Sequence, residues 1–351
     1  MPLNVNENPY PPPPEVIQTI VQYVEHAAGT LNRYPDRDFT ELRQALVAYL
    51  ASESGATDLT VEHIWAANAS NEVLLHIFQA FGGPGRTALS FDPTYSMYPE
   101  YARDTQTQWI TGQRQADFTI DQAQAIDQLK HTAASLVILA SPNNPTGTPV
   151  PLELIDALCT ASRGQAVVVV DEAYAEFRSP GTASAISLLN RHPHLVVTRT
   201  MSKAFAFAGV RLGYAAACPE LVGYLRTVRL PYHLSTVTQV TALAGLHHAS
   251  LMLAQVASLR QARDQLRQDL LAMGLTAPPS AANFLAVGRF TDAAATWQAL
   301  LDQGVLVRHT GPPGYLRVTV GTPEQNHAFL TALAGIIGPL DLVQSPDGGT
   351  A

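Results

Sequence analysis

Apolar residues follow two different spacings along this chain, and the two spacings alternate. Short apolar runs, such as those within residues 135–140 and 166–170, are rich in Val, Ile and Leu. Such runs are typical of strands buried on both faces of a parallel sheet. Between them lie longer segments in which apolar residues return every three or four positions, which predicts amphipathic helices. The alternation predicts an α/β fold with a mostly parallel central sheet flanked by helices.

The predicted elements divide into a large unit and a smaller α+β unit after the break at Pro278 and Pro279. In the large unit we predict strands at 87–91, 107–111, 135–140, 166–170, 194–199 and 211–217, and helices at 15–26, 40–52, 73–81, 121–130, 152–162, 220–229, 235–249 and 251–273. In the smaller unit we predict strands at 283–287, 305–308 and 316–320, and helices at 292–303 and 323–337.

These elements predict four regions. Residues 1–30 are predicted to form an arm and a helix that associate with the small domain. The arm is expected to be extended, because the prolines after Tyr10 prevent a helix from starting there. The large domain spans 31–250, the small C-terminal domain spans 251–344, and 345–351 form a flexible tail.

Composition narrows the classes of function. The 351 residues carry a net charge of −8 and no basic stripe, which argues against nucleic acid or an anionic membrane as a partner. No apolar run reaches the length of a membrane span. Cys159 and Cys218 are too few for a disulfide framework, and neither has metal ligands at a zinc-site spacing. We therefore expect a cytoplasmic protein with reduced thiols and no metal.

Lys203 stands out because lysine is rare in this chain. Of the 21 Lys and Arg residues, two are lysines, Lys130 and Lys203. It precedes the nearly uncharged run Ala-Phe-Ala-Phe-Ala-Gly. Partial desolvation there would lower the pKa of the ammonium group, as in lysines that attack carbonyl carbons. The alternative is a loop lysine with a solvated head, which is our interpretation of Lys130.

Polar residues follow several of the predicted strands, at the sheet edge where open α/β sheets bind ligands. Asp171 ends the 166–170 run, and a buried acid is costly unless it is paired. Tyr95 follows another strand and could stack on a flat ring or serve a structural role. Ser70 and Asn71 precede a predicted helix, where free amides favour an anion, although an ordinary N-cap is the alternative.

The segment around Lys203 contains the pattern Ser-Lys-x-Phe-x-x-Ala-Gly-x-Arg, from Ser202 to Arg211. Its chance occurrence in a chain of this length is on the order of 10⁻⁵. The pattern resembles the lysine segment of the pyridoxal 5'-phosphate (PLP) enzymes of the aspartate-aminotransferase fold, called fold type I. It is most similar to the histidinol-phosphate aminotransferase branch. The resemblance extends in order through five separated motifs and implies a large PLP-binding domain with a smaller C-terminal domain.

For the cofactor, the resemblance implies that Lys203 holds PLP as a Schiff base. The phosphate would be bound by Ser70, Asn71, Thr200, Ser202 and Arg211. Relatives often have Asp at the position of Asn71, so its backbone contact transfers better than its side-chain role. The ring would contact Tyr95 on one face, Asp171 at its nitrogen, and Asn144 and Tyr174 at its phenolic oxygen. Glu172 is interpreted as structural.

The resemblance also implies a homodimer in which Tyr34 reaches the cofactor phosphate of the partner subunit. Arg317 corresponds to the arginine that binds the substrate carboxylate, although a solvated cation is the alternative from the sequence alone. Asn8 and Tyr10 belong to a segment similar to the family's active-site mouth, and Arg308 is a second candidate for binding a substrate anion. The histidines at 247, 248 and 309 receive no role.

The implied activity is ping-pong transamination with a small-molecule amino donor and a 2-oxo acid. The preferred donor is L-histidinol phosphate and the preferred acceptor 2-oxoglutarate, which would place the enzyme in histidine biosynthesis. An aromatic-amino-acid aminotransferase is the first alternative, and a PLP-dependent threonine-phosphate decarboxylase, a lyase, is the second. A non-catalytic PLP-binding or regulatory protein is the third.

Overall fold

A seven-stranded sheet forms the centre of the computed structural model, which describes residues 1–309 and 311–337. Its strands are β1 Ile64–Asn68, β2 Thr87–Asp92, β3 Gln108–Gln113, β4 Leu136–Ala140, β5 Val167–Asp171, β6 Leu195–Thr200 and β7 Leu212–Ala217. They lie in the order β1-β7-β6-β5-β4-β2-β3. Strand β7 is antiparallel to both of its neighbours, and the other pairings are parallel.

The middle of the sheet shows why the apolar runs become strands. Every residue of β4 and β6 is buried, and in the registered row Val137, Val168 and Leu195 the side chains are fully enclosed. Because these strands are parallel, the residues that follow β2, β4, β5 and β6 meet at a single edge. The ends of distant strands are thereby gathered into one place.

Helices flank this sheet and continue into the C-terminal part of the chain. They are α1 Pro14–Ala28, α2 Thr40–Ser54, α3 Ala69–Phe81, α4 Tyr98–Asp104, α5 Gln122–Thr132, α6 Leu152–Ala161, α7 Pro219–Val228, α8 Thr236–His247, α9 Ala249–Ala272, α10 Ala293–Asp302 and α11 Pro323–Ile336. Short 3₁₀ turns occupy Val61–His63, Ala175–Phe177 and Ala185–Leu188. Helix α1 packs against α8.

A separate small sheet is made by β8 Phe284–Val287 and β9 Leu316–Thr319, which are antiparallel. The N-terminal arm joins this part of the molecule, since the Leu3 amide donates to the Leu306 carbonyl at 2.8 Å and the Leu3 carbonyl accepts from the Thr319 amide at 2.9 Å. The arm therefore holds residues 1–6 beside the small sheet.

Two sequence predictions are corrected, and two elements, strand β1 and helix α4, were not predicted. Residues 305–308 do not form a strand, because Leu306 bridges to Pro2 whereas Arg308 bridges to Arg317, and two different partners leave no continuous ladder. Helix α3 begins at Ala69 rather than at residue 73. Helix α4 was not predicted, because a seven-residue helix has too few turns to show a period. The predicted tail, 345–351, lies outside the described residues.

Within 1–309 and 311–337, no single helix is long and apolar enough to cross a membrane. Helices α8 and α9 reach the required length and hydropathy only when taken together, across a bend of 73°.

Candidate active site

A cavity of about 990 Å³ lies at the sheet edge where the parallel strands end. Its walls include most of the residues singled out in the sequence: Ser70, Asn71, Tyr95, Asn144, Asp171, Tyr174, Thr200, Ser202, Lys203, Arg211, Arg308 and Arg317. They come from the ends of β1, β2, β4, β5 and β6, from the start of β7, and from the small sheet. The parallel topology thus brings together residues that are far apart in sequence.

Lys203 lies in the turn after β6 and its side chain enters the cavity. Its Nζ donates a hydrogen bond to the Val5 carbonyl of the N-terminal arm at 3.0 Å. Burial, and then the positive charges of Arg317 and Arg211, lower the pKa of Lys203 to about 8, while Glu7 opposes the shift. The expected desolvation of this lysine is therefore present, and a fraction of the amine is neutral near pH 7.

Asp171 ends β5 and is 5% exposed. Its carboxylate accepts hydrogen bonds from Tyr98 Oη at 2.9 Å, Thr198 Oγ1 at 3.1 Å and the Ala173 amide at 3.2 Å. Burial nevertheless raises the pKa of Asp171. Because no ion pair to this carboxylate forms within the described part of the chain, a positively charged ligand group would satisfy it.

The anion-binding side of the cavity is built around the start of α3. The N-cap is Asn68, so neither Ser70 nor Asn71 caps the helix, and both lie in the first turn, whose amides have no intrahelical partner. Gly213 allows β7 to approach this turn, since a Cβ there would lie 2.1 Å from the Ser70 amide nitrogen. The free amides and the helix dipole favour an anion at this point.

Hydroxyl groups and a cation surround the same point. Thr200 Oγ1 donates to Ser202 Oγ at 3.0 Å, at the end of β6. Arg211 immediately precedes β7, and its backbone carbonyl accepts from the Ala69 amide at 3.0 Å. This bond joins the arginine to the start of α3. The set of amides, hydroxyls and guanidinium fits a phosphate dianion.

Tyr95 forms another part of the wall and is half-buried. Its hydroxyl donates to Asn71 Oδ1 at 3.4 Å, and its ring lies edge to face with Tyr98, with the centroids 5.4 Å apart. Burial, and then the charges of Tyr174 and Asp171, raise the pKa of Tyr95 to about 12. The phenol is therefore neutral, and its ring can serve as a flat apolar contact.

Arg317 extends from β9 into the cavity and is 7% exposed. It donates to Asn144 Oδ1 at 2.5 Å and to the Asn4 carbonyl at 2.6 Å, and its guanidinium lies 5.3 Å from the Phe284 ring centroid. Its Nε is buried without a partner among the described residues. A buried guanidinium with a free donor is suited to binding an anionic group.

Asn144 and Tyr174 share contacts with the arm and the small sheet. Since Asn144 Oδ1 accepts from Arg317, its amide nitrogen is left to donate into the cavity. The Tyr174 hydroxyl accepts from Asn6 Nδ2 at 3.0 Å, and burial raises the pKa of Tyr174. The two side chains thus present neutral hydrogen-bonding groups.

Three predicted residues lie outside the cavity of the single chain. The arm contributes residues 4–7 to the wall instead of Asn8 and Tyr10, because the Asn8 side chain turns back to accept from the Tyr10 amide at 3.0 Å. Tyr34 is 80% exposed, and its ring stacks on Tyr232 with the centroids 4.5 Å apart. It contacts nothing in the cavity of its own chain.

Sequence reasoning missed Asn6, Tyr98 and Thr198. A signal existed for Thr198, because it lies two residues before Thr200 on a predicted strand and therefore faces the same side. Tyr98 lies in a helix that was not predicted, and Asn6 lies in an arm whose path depends on distant contacts.

Comparison with known proteins agrees with this geometry. The profile of the family "Aminotransferase class I and II" matches residues 1–333. The chain belongs to this family, which confirms the resemblance seen around Lys203. It is 55% identical to the histidinol-phosphate aminotransferase of Thermobifida fusca (strain YX) over 336 residues, covering 96% of this chain and 90% of the relative. It is 51% identical to the enzyme of the same name from Bifidobacterium longum (strain NCC 2705), covering 95% and 91%.

Solved structures confirm the expected fold. The histidinol-phosphate aminotransferase from Sinorhizobium meliloti, solved in complex with pyridoxal 5'-phosphate, has a TM-score of 0.85 at 24% identity and covers 95% of this chain and 89% of that one. A double mutant of the aspartate aminotransferase from Thermus thermophilus has a TM-score of 0.84 at 25% identity and covers 95% and 91%. The large domain with its parallel sheet and the small C-terminal domain are those of fold type I.

Proposed function

We propose that this protein is a PLP-dependent aminotransferase that acts on L-histidinol phosphate and 2-oxoglutarate in the cytoplasm, in histidine biosynthesis. The observation that carries the proposal is the presence, in one cavity, of a lysine with a lowered pKa and a buried carboxylate that pairs with no cation among residues 1–309 and 311–337. The choice of donor rests on relatives more than 50% identical over nearly the whole chain that carry the name histidinol-phosphate aminotransferase.

The cavity residues fit PLP at each of its functional groups. The phosphate would be held by the first turn of α3 together with Thr200, Ser202 and Arg211, and the pyridine nitrogen by Asp171. Tyr95 would cover the ring, and Asn144 and Tyr174 would bind the phenolic oxygen. When bound, PLP supplies an electron sink that makes the Cα–H bond of an attached amine acidic.

Lys203 holds and moves the proton in this chemistry. With a pKa of about 8, its Nζ can exist as the neutral amine that bonds to a carbonyl carbon or accepts the proton from the substrate Cα. General acid–base catalysis of this kind contributes roughly 10²–10⁴-fold.

Asp171 maintains a negative charge deep in the cavity. Hydrogen bonds from Tyr98 and Thr198 fix the carboxylate in place, and a cationic ring nitrogen beside it would remove the cost of burying its charge. The raised pKa of Asp171 in the chain alone is therefore expected to fall when that nitrogen is present. Asp171 would orient the ring and stabilise its protonated nitrogen.

Arg317 is proposed to bind the anionic end of each substrate. L-histidinol phosphate carries a phosphate and 2-oxoglutarate carries carboxylates, so a single buried guanidinium can serve both half-reactions. Asn144 and the Asn4 carbonyl hold the guanidinium, and the free Nε adds a donor. Arg308, in the same cavity wall, supplies a second positive charge.

We also propose a homodimer, with Tyr34 reaching the cofactor phosphate of the partner subunit. Tyr34 is 80% exposed and stacks on Tyr232. Leu31 and Leu230, which are close in sequence to these two tyrosines, are also exposed. These exposed apolar side chains support a contact surface at this position. Sedimentation of the holoenzyme should give twice the chain mass of 37.7 kDa. An active species of the single-chain mass would contradict the dimer.

The donor is tested by steady-state kinetics with L-histidinol phosphate, phenylalanine, tyrosine and threonine phosphate, each with 2-oxoglutarate. We expect the highest kcat/KM for L-histidinol phosphate. A higher value for phenylalanine would replace this assignment with an aromatic-amino-acid aminotransferase. Release of carbon dioxide from threonine phosphate without need for a 2-oxo acid would indicate the lyase.

A further inference from the structure

A second cluster of reactive side chains lies at the other end of β6 from Lys203. Cys159 is on α6, and His192 and His194 immediately precede β6. One ligand atom from each of the three lies within 4.8 Å of the other two. Cys159 and His192 are buried and His194 is half-buried, so the cluster opens toward solvent on one side.

The hydrogen bonds around the two rings fix their tautomers. His192 Nε2 lies 2.6 Å from Asp156 Oδ1, and His194 Nε2 lies 2.8 Å from the Cys159 carbonyl. Carboxylate and carbonyl oxygens accept, so each Nε2 donates its hydrogen. In the neutral imidazole this leaves Nδ1 of both rings with a free lone pair, which is the form that binds metals.

His192 Nδ1 is the least satisfied of these atoms. The residue is 3% exposed, and Nδ1 has no hydrogen-bond partner among the described residues. Leaving a buried polar nitrogen unpaired costs about 1–3 kcal/mol, and buried polar groups in native proteins nearly always have a partner. A metal ion bound at this nitrogen would provide that partner.

We propose that Cys159, His192 and His194 form a Zn²⁺ site. A thiolate and two imidazoles are the ligands that Zn²⁺ takes from proteins, and the solvent side at His194 leaves room for a water as the fourth ligand. Tetrahedral bonds of about 2.0–2.3 Å place ligand atoms roughly 3.5 Å apart, so the side chains would close in modestly on binding. The site would join α6 to the start of β6.

Asp156 completes the arrangement. Its carboxylate accepts from His192 at 2.6 Å and from Arg191 Nη2 at 2.8 Å. A carboxylate behind a metal-binding imidazole holds the ring and its tautomer, and removing such a partner costs about 10–100-fold in metal affinity. Replacing Asp156 should therefore weaken Zn²⁺ binding measurably, although Asp156 does not touch the metal.

Binding requires that Cys159 lose its proton. On binding, the S–H bond breaks, a Zn–S bond forms, and the proton passes to solvent. Apparent affinity for Zn²⁺ should therefore rise with pH.

The experiment uses the PLP-loaded protein, first dialysed against a chelator. Zn²⁺ is added by equilibrium dialysis and quantified by elemental analysis, and Co²⁺ is added in parallel because a tetrahedral thiolate site gives visible ligand-field bands. The variants are Cys159→Ser, His192→Gln and Asp156→Asn. The matched controls are Cys218→Ser, the other thiol, and His247→Ala, an exposed histidine away from the cluster.

We expect one Zn²⁺ per chain, lost in Cys159→Ser and His192→Gln, weakened about 10–100-fold in Asp156→Asn, and unchanged in both controls. His194→Gln at the half-buried ligand gives the same test if the buried variants fail to fold. No bound metal in the parent protein would overturn the proposal. Equal binding by Cys159→Ser would do the same, because it would assign the metal to other histidines.

Discussion

Asp171 and Glu172 are adjacent in sequence and nearly equally buried, at 5% and 2% exposed, yet their surroundings differ in kind. Successive residues at the end of a strand point to opposite sides of the sheet. Asp171 enters the cavity, where hydroxyls and an amide are its partners in the described chain. Glu172 points to the other side, into a group of arginines.

The negative charge of Glu172 is compensated by other groups of the same chain. It pairs with Arg199 at 2.9 Å and Arg178 at 3.1 Å, and accepts from Ser184 Oγ at 2.7 Å. Burial alone would raise the pKa of Glu172, but Arg199 and Arg178, with hydrogen bonds from Ser184 and the Ala185 amide, together outweigh burial and hold that pKa below its ordinary value. Arg199 also pairs with Glu53 at 2.8 Å.

The contrast separates a structural acid from one that needs a ligand. Charges that the chain pairs internally stabilise the fold and have no capacity left for a substrate. The carboxylate of Asp171 keeps a raised pKa, so part of the cost of burying it is left for a bound cation to offset. Both residues are buried carboxylic acids, and cationic partners beside Glu172 distinguish the two.

The largest effect is expected on the cavity side, from Lys203→Ala. Removing the amine should lower kcat by about 10⁴-fold, the upper end of what one general acid–base group contributes. Absorbance spectra should also lose the visible-edge band of lysine-bound PLP. Lys130→Ala, at the other lysine, is the control and should leave both unchanged. A Lys203→Ala enzyme that kept the band and turned over normally would remove the basis of the proposed function.

On the side of the sheet where Glu172 meets the arginines, Glu172→Gln should lower the stability of the fold. Removing one partner of a buried ion pair leaves Arg199 and Arg178 undercompensated and costs about 3–5 kcal/mol in the free energy of unfolding. Urea unfolding measures this loss, and kcat per folded molecule should stay near the parent value. Glu100→Gln, which breaks an exposed pair with Arg103, is the control and should cost about 0–1 kcal/mol. A fall in kcat without loss of stability would mean that Glu172 belongs to the cavity.

Asp171→Asn should have the reverse effect of Glu172→Gln, lowering activity without lowering stability. We expect kcat to fall by about 10²–10³-fold, as when one preorganised electrostatic partner is removed. The cofactor-free variant should be no less stable than the parent at pH 7. The reason is the raised pKa of Asp171, which makes the folded chain lose stability as pH rises through that pKa, and the amide removes this loss. A large drop in stability of the cofactor-free form would refute the contrast with Glu172.

Much of the cavity could be predicted from the sequence because its signals are local. The Val run of β5 identifies a buried strand, and the polar residue at its end identifies a position at the ligand edge. The same reasoning applies to Tyr95, whereas the role of Asn144 was predicted from the family resemblance and Lys203 was singled out by its uncharged surroundings. Parallel topology then brings these ends together without any further information from the sequence.

Other features depend on contacts between segments that no local pattern connects. Residues 305–308 have a strand-like sequence but find two different partners, so no ladder forms. The arm places Asn6 rather than Asn8 against the cavity, and Cys159 on α6 comes near His192 only in the folded chain. The division at residues 30, 250 and 344 stays a prediction, as do the roles of the individual cavity residues.

The smallest effect concerns pH and tests the electrostatics within the cavity. Because burial, Arg317 and Arg211 lower the pKa of Lys203 to about 8, the neutral amine becomes dominant above that pH. The rate at which cofactor-free protein captures PLP should therefore rise with pH and level off just above 8, whereas an ordinary lysine, at 10.5, would keep gaining.

Arg317→Met tests the cause of this shift. Removing the guanidinium should move the midpoint of the capture rate to higher pH, and comparison with the parent cancels the titration of PLP itself. The stability of the fold should also increase with pH. Because the pKa of Lys203 is lower in the folded than in the unfolded chain, the free energy of unfolding should rise between about pH 8 and 10.5. Lys203→Ala should lose that rise, and Lys130→Ala should retain it. An unchanged midpoint in Arg317→Met would assign the shift to burial and Arg211 and remove Arg317 as a cause.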